Sequence, residues 1–501
     1  MKKRSLIYLL IWTPFLMLAQ QQSKNMFKKK VLQSTQINLL SSIYTQSGKN
    51  AAVTGGIGNE SLQDAATNID VSIPVNADDV LTIDGTVSAY TSASSGNLNP
   101  FTGASRSEDN KTGASQGGGN DDEGDDEGDD DRPSGTNQSP VTTNGPWGYS
   151  SAPSRQDVWL NGVFSYSHTS DDRNKIISGK LSIANEFDYF SFGTGFNFTH
   201  LFNNKNTEFG WGGMVYFDKW RPQYPTEIKM FILNNGNLKG GFFNGVNIYN
   251  QSGYAINKSG SNLWQPAHPN FITKKGRNTY TLSLSFSQIL SKNAQFSVFS
   301  DITYQHGQLG NPMQRVYFAD KPNYYIGNPA DIPNYTNPKN TSVFQLADDF
   351  ERFPVSRLKI PIGLRFHYFI NEKLVLRTYY RYYFDDWGMM SNTFNVELPI
   401  KLNDRFTIYP NYRFYNQTAS KYFAPYEKHL STEKYYTSDY DLSAYNANQF
   451  GFGIKYHDIF TKSHIFNFGI KNVSLNYNYY QRSSGFKAHI VSVGLQLVLD
   501  K

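Results

Sequence analysis

Between residues 357 and 417 the side chains change character at every position, over runs far longer than a soluble sheet needs. Along 357–370 the even positions are Leu358, Ile360, Ile362, Leu364, Phe366, Tyr368 and Ile370, and the odd ones are Arg357, Lys359, Pro361, Gly363, Arg365, His367 and Phe369. After Asn371-Glu372 the alternation resumes along 373–385. Leu374, Leu376, Tyr380, Tyr382 and Phe384 share one face, and Lys373, Arg377, Arg381 and Asp385 share the other. Residues 394–402 and 405–415 repeat the pattern, placing Glu397, Lys401, Arg405 and Arg413 opposite aliphatic and aromatic neighbours. A period of two gives each strand one apolar face and one charged face.

Length and charge together select the environment. Strands of globular sheets run to about 5–6 residues, whereas a tilted strand crossing a bilayer needs about 9–11. A cation facing lipid at mid-depth costs on the order of 2–4 kcal/mol. Arg365, Arg377, Arg381 and Arg413 would together cost about 10 kcal/mol on that side, comparable with the whole stability of a domain. The charged face therefore belongs in a lumen and the aliphatic face against lipid. The expected fold is all-β: a transmembrane antiparallel β-barrel.

Weaker alternating pairs occupy the rest of the chain: 69–75 with 81–89, 158–166 with 177–187, 190–200 with 209–217, 280–286 with 296–304, and 450–458 with 466–479, closed by 491–499. With an earlier strand at 37–44 the count is sixteen, and fourteen if that strand and one weak one stay out of the wall. In the 466–479 strand the apolar phase shifts near Lys471-Asn472, the mark of a bulge. Short polar turns alternate with long connections at 94–155, 221–277, 306–353 and 418–447. Such barrels carry short periplasmic turns and long extracellular loops, so these four are expected to be extracellular.

Composition agrees with this reading. Tyr 34, Phe 36 and Trp 7 make the chain 15% aromatic, and Gly reaches 40. A disordered exported chain would lack the aromatics, and a negative mean hydropathy argues against a bundle of membrane helices. Met1-Lys2-Lys3-Arg4 followed by an apolar stretch to Leu18 and Ala19 reads as a removed signal peptide, with an uncleaved anchor as the alternative. The expected organisation is a signal peptide at 1–20, the first wall strands at 21–93, an acidic Gly/Ser-rich surface loop at 94–155 and the main barrel at 156–501. No amino-terminal plug domain is recognisable between signal and strands. With no cysteine, disulfide and thiolate chemistry are excluded.

Three sets of residues stand out as candidates for function. Asp121, Asp122, Asp125, Asp126, Asp129 and Asp130 belong to a run in which nine of eleven residues are acidic. Oxygen ligands suit calcium, but the spacing does not match the EF-hand pattern of alternating ligands with a distant Glu, and the flanks are low-complexity, so a solvated loop is the first reading and weak cation binding the second. Taking nine carboxylates from a net charge of +5 leaves about +14 on the remainder. Part of that surplus is the lumen set Arg357, Lys359, Arg365, Lys373, Arg377, Arg381, Lys401, Arg405 and Arg413. These residues either attract anions and set a field across a constriction or fill the lumen with ion pairs. Trp211, Trp220 and Trp387 are read as interface girdles. The sequence holds no nucleophile elbow, zinc-protease, redox or phosphate-loop motif, so neither an enzyme nor a cofactor is expected.

Four segments carry a family resemblance. Arg381-Tyr382-Tyr383-Phe384-Asp385-Asp386-Trp387-Gly388 is followed by Tyr412-Arg413-Phe414-Tyr415-Asn416-Gln417 with Ala419, Tyr422 and Phe423. Ser438-Asp439-Tyr440-Asp441-Leu442-Ser443 and Val53-Thr54-Gly55-Gly56-Ile57-Gly58 accompany them. From about residue 36 to the end, the acidic insert aside, the chain resembles the uncharacterised bacterial family domain of unknown function 3570, in a version like those of Bacteroidetes. The resemblance implies an exported outer-membrane β-protein without assigned activity. It singles out Arg381, Asp385, Asp386, Trp387, Arg413, Tyr415 and Gln417 without giving them roles.

Two functions remain open at this point. One is a channel or transporter in the outer membrane of a Gram-negative bacterium, passing a small polar solute, anions among the candidates. The other is a filled structural barrel that displays loops to an envelope partner. Either needs outer-membrane lipid and the barrel-insertion machinery as partners, and neither implies nucleic acid. The oligomeric state is left open.

Overall fold

The computed structural model describes residues 29–92, 157–239, 243–256, 263–337, 340 and 342–499. The expected signal peptide and acidic run, with the cation candidates Asp121 to Asp130, lie outside the described residues.

Sixteen antiparallel strands form one closed wall. In chain order these are β1 (Gln36–Gly48), β2 (Glu60–Pro74), β3 (Asp79–Ser92), β4 (Asp157–Thr169), β5 (Lys175–Glu186), β6 (Tyr189–Phe202), β7 (Thr207–Trp220) and β8 (Gly276–Ile289). They continue as β9 (Ala294–Gly307), β10 (Ser356–Asn371), β11 (Leu374–Asp385), β12 (Met390–Glu397), β13 (Phe406–Gln417), β14 (Tyr445–His457), β15 (Phe468–Arg482) and β16 (Lys487–Leu499). Each pairs with its neighbour in sequence, and β1 pairs with β16, for example Leu39 opposite Leu495, so no edge remains. The first strand, the least certain in the sequence, is thus the one that closes the barrel.

The alternation sorts as the lipid argument requires. Val87, Leu181, Leu282, Val298, Leu364 and Leu475 all point outward and are exposed. So wide a belt of bare aliphatic side chains belongs against hydrocarbon rather than water. Local chemistry closes the short turns. Asn76 accepts from the Asp78 N–H at 2.8 Å, Asn371 from Lys373 at 2.9 Å and Asn403 from Arg405 at 2.9 Å. These are Asx turns, in which the side chain imitates a backbone turn. The expected bulge falls between Ile470 and Asn472. The strand expected over 394–402 breaks after Glu397 and resumes as Ile400–Lys401, because Pro399 has no N–H to offer the ladder.

The long connections do not stand apart as free loops. Residues 221–275, 308–355 and 418–444, where described, pack with one another over the mouth they share. The helix α1 (Thr226–Leu233) lies in the first of them. Ile228, Phe231, Trp264, Tyr317, Phe344 and Phe350 build a buried core that joins two of these connections. The result is a cap with an interior of its own, outside the β-wall.

Candidate functional site

The inward faces of β10 and β11 carry Arg357, Lys359, Arg365, Arg377 and Arg381, and β13 adds Arg413. Register fixes their depth: Lys359 lies opposite Asp385 near the cap, Gly363 opposite Arg381, and His367 opposite Arg377 further down. Arg365 packs 4.4 Å over Phe299, with Tyr379 5.9 Å away on the other strand. The Phe299 ring occupies the place a side chain on Gly363 would take. Arg377 reaches Glu397 at 2.8 Å and stays half-exposed to the lumen. Arg381 Nε is buried without a hydrogen-bond partner among the described residues.

Half the circuit away, β2 and β3 present carboxylates. Asp70 accepts from Asn38 at 3.1 Å, Asp84 from Asn68 at 2.8 Å and Asp64 from Ser88 at 2.6 Å. The lumen is therefore polarised across its width, with a basic arc facing an acidic one, rather than uniformly basic. Three of the expected lumen cations are corrected. Lys373 and Arg405 sit exposed in the short turns beside β11 and β13, at the rim, as Lys401 does with Asp404 at 2.8 Å. The alternation ran past the true strand ends there.

At the capped mouth two triads repeat one arrangement. Asp218 binds Arg277 Nε at 2.7 Å, and that guanidinium lies 5.4 Å over Trp220. Asp385 binds Arg357 at 2.5 Å, and that guanidinium lies 4.2 Å over Trp387. Each Asp and Trp are two residues apart at the end of a strand, and each Arg starts a neighbouring strand. Trp220 and Trp387 thus turn inward, against the girdle assignment. Trp220 shares the lumen face of β7 with Asp218, and Trp387 is buried against Phe353, with ring centroids 4.3 Å apart. Trp211, on the other face of β7, is exposed on the outer wall.

The four family segments converge at this mouth. Asp385 accepts the N–H groups of Trp387 and Met389, each at 3.0 Å, and Asp386 accepts that of Leu358 at 3.1 Å. Gly388 turns the chain there with φ +85. Tyr415 donates to Gln417 at 2.6 Å, and Gln417 donates in turn to the carbonyls of Asp441 and Ser443 at 2.9 and 2.6 Å. Gly56, at φ +86, lets the early glycine segment close on the Ser438 carbonyl, which a Cβ would meet at 2.6 Å. The residues singled out by resemblance are those that seat the cap on the rim, apart from Arg381 and Arg413 in the lumen below.

Other groups that hold the cap had no visible signal in the sequence. Asp349, buried, accepts from His268 and Tyr436 at 2.6 Å and from Arg352 at 3.0 Å, tying three connections together. Burial pushes its carboxyl up, but those hydrogen bonds and Arg352 outweigh it and hold it below the ordinary range. Glu351 is the opposite case: burial, helped by Asp439, pushes it up to about 8, against hydrogen bonds from Thr437 and Asn311. Asp439 is itself pushed up by burial and by Asp441. Asp-x-Trp stands at both triads, 218–220 and 385–387, but also at 157–159, so it is no guide by itself.

A model of proteins of unknown function, DUF3570, matches residues 93–491. That span leaves β1 to β3, apart from their continuation into the first long connection, and the early glycine segment outside it. No curated protein is similar to the chain in sequence. Among solved structures, the chain is similar to the Pseudomonas putida toluene transporter TodX at 8% identity and TM-score 0.34, covering 94% of this chain and 90% of that one. It is similar to Pseudomonas aeruginosa OpdK, solved with vanillate, at 6% identity and TM-score 0.33, covering 93% and 98%. A bacterial polysaccharide outer membrane secretin matches at 6% identity and TM-score 0.38, covering 93% and 99%. At this level of likeness nothing about solute or gating passes from those proteins to this chain.

Proposed function

The chain belongs to that family of proteins of unknown function, and on this premise we propose that it is a capped channel for small polar solutes in the outer membrane of a Gram-negative bacterium. The observation that carries the reading is the lumen: a closed wall, apolar outside, with exposed charges inside polarised between an acidic and a basic arc. Exposed Arg365, Arg377 and Arg413 are side chains kept in water, and a transverse field of this kind sorts solutes by charge and dipole. The basic arc, with Arg365, Arg377 and Arg413 exposed, gives anions a modest preference. In this reading the cap faces the cell surface, the short turns and both chain ends face the periplasm, and lipid and the insertion machinery are the necessary partners.

A second reading draws on the cap. A mouth covered by a packed unit also suits a barrel that conducts nothing and offers its cap to an envelope partner. Single-channel recording of the refolded protein in a planar bilayer separates the two. Steady conductance with a reversal potential on the anion side supports the channel. A silent protein with heat-modifiable migration and β-sheet dichroism supports the structural barrel.

A further inference from the structure

The outer wall carries a dent. On its lipid side, strand register aligns Phe196, Gly213, Leu282 and Ile302 in one row across β6 to β9. Gly213 offers no side chain between Phe196 and Leu282, which both stand exposed. A groove of about 560 Å³ opens there, in the face that the barrel turns to hydrocarbon. One row nearer the cap, Val215 lies beside Tyr280, and Tyr280 stacks on Tyr304 with ring centroids 6.5 Å apart. Aromatic rings of this kind mark the level where hydrocarbon meets headgroups.

Above the groove the rim is basic. Lys219 follows Phe217 on the outward face of β7, and Arg221 continues that alternation past the strand end. Lys274 and Lys275 arrive beside them from the cap, where the Trp220 N–H donates to the Lys275 carbonyl at 2.8 Å. All four are exposed, and none is in an ion pair among the described residues. The carboxylates of this rim point inward: Asp218 to Arg277, Glu186 to Tyr90, and Asp188 into the cavity beneath the cap. Lys219 stands four residues from Val215, about 13 Å at the rise of a strand. Unpaired cations at one end and a bare apolar trough at the other match an anionic amphiphile, with phosphate above and acyl chain below.

From this geometry we propose that the outward face of β6 to β9 binds one molecule of lipid A, the phosphorylated, acylated disaccharide that anchors lipopolysaccharide in the outer leaflet. Four cations without partners call for more than the single phosphate of a phospholipid. A second copy of this chain is a poor occupant, because a two-fold contact would set the basic rim against itself. The inference rests on the outer-membrane reading, with the cap outward, for where the lipid is met, while binding itself does not depend on conduction.

The experiment is native mass spectrometry of the full-length protein, refolded in lipid-free detergent and titrated with bisphosphorylated lipid A, with phosphatidylglycerol as the comparison. One lipid A is retained, and phosphatidylglycerol binds at least tenfold more weakly. Lys219→Gln with Lys274→Gln weakens lipid A about twentyfold, at about fivefold for each cation lost near a charged headgroup. Gly213→Leu fills the dent and weakens it about tenfold. A Cβ there meets the Phe196 ring at 3.4 Å, so the wall accepts the change, and unaltered heat-modifiable migration checks that each variant folds. No retained lipid A overturns the proposal, as does phosphatidylglycerol binding equally well. A response to only one of the two variants overturns it, because the site needs both its ends. Displacement of lipid A by millimolar inorganic phosphate, which would mean a site for free anions, overturns it too, as does a dimer that Gly213→Leu dissolves. Conductance and protease cutting of the cap on intact cells are read separately: a silent barrel, or one with its cap inward, that still holds lipid A removes the channel or the orientation and keeps the site.

Discussion

Arg315 is wholly buried and grips Glu227 with two hydrogen bonds, at 2.8 and 3.1 Å, joining connections that leave the barrel at different strands. Its remaining nitrogen donates to the Val53 carbonyl at 2.9 Å, so one guanidinium fastens three parts of the cap. A buried pair of this kind is weak evidence for added stability, but removing one partner is severe.

Arg315→Met leaves Glu227 buried without its counter-ion and is expected to cost the cap about 3–5 kcal/mol. The barrel wall does not depend on the pair. Proteinase K should therefore cut the cap connections rapidly while heat-modifiable migration of the barrel persists. Adding Glu227→Leu should restore most of the resistance, and a double variant no tougher than the single one would contradict this account.

The cap should also loosen as pH rises. Glu351 titrates near 8 in the fold, above its ordinary range near 4.5. The folded cap holds the proton more tightly than the opened one, so the contribution is complete below about pH 4.5 and is lost as pH climbs through about 8. Asp439, shifted in the same direction, adds to it. Proteolysis of the cap, corrected for protease activity, should be faster at pH 9 than at pH 6, and Glu351→Gln should flatten most of that difference.

Adjacent residues on β10 should respond in opposite ways to substitution. Leu364 is exposed to lipid, and Leu364→Arg should destabilise the barrel by about 2–4 kcal/mol. Arg365 faces the lumen, and Arg365→Gln should cost under about 1 kcal/mol, since it loses mainly a packing contact with Phe299. Urea unfolding from lipid vesicles measures both, and equal costs would place the wall the wrong way round.

Reversing charge on the basic arc should move selectivity rather than abolish folding. Arg377→Glu with Arg381→Glu puts acid on both arcs of the lumen. The reversal potential in a salt gradient should shift toward cations. An unchanged potential in a conducting variant would mean that ions pass without sensing this arc.

The candidate site was legible only in pieces. The segment 381–388 was visible as a family signature and as a rim turn, and Asp385 and Trp387 do close that turn. Their joint role around Arg357 was not visible, because Arg357 precedes Asp385 by 28 positions and meets it only through strand pairing. Trp220 shows the same limit: its parity with Asp218 is plain in the sequence, yet a Trp at a strand end suits a girdle equally well until the strand's inner face is known.

Alternation along the strands, the long wall segments and the cost of arginine in lipid determined the barrel by themselves, with the faces of Leu364 and Arg365, and left only the strand number between sixteen and fourteen. Strand structure is local: each residue's side follows from its neighbour's, and a period of two survives without any knowledge of the partner strand. The cap was decided only in three dimensions. Arg315 lies 88 positions from Glu227 and 262 from Val53, and no short period relates Ile228, Trp264 and Phe344. A core assembled from irregular pieces leaves no repeating mark in any of them, so the covered mouth and its cavity came from the tertiary structure alone.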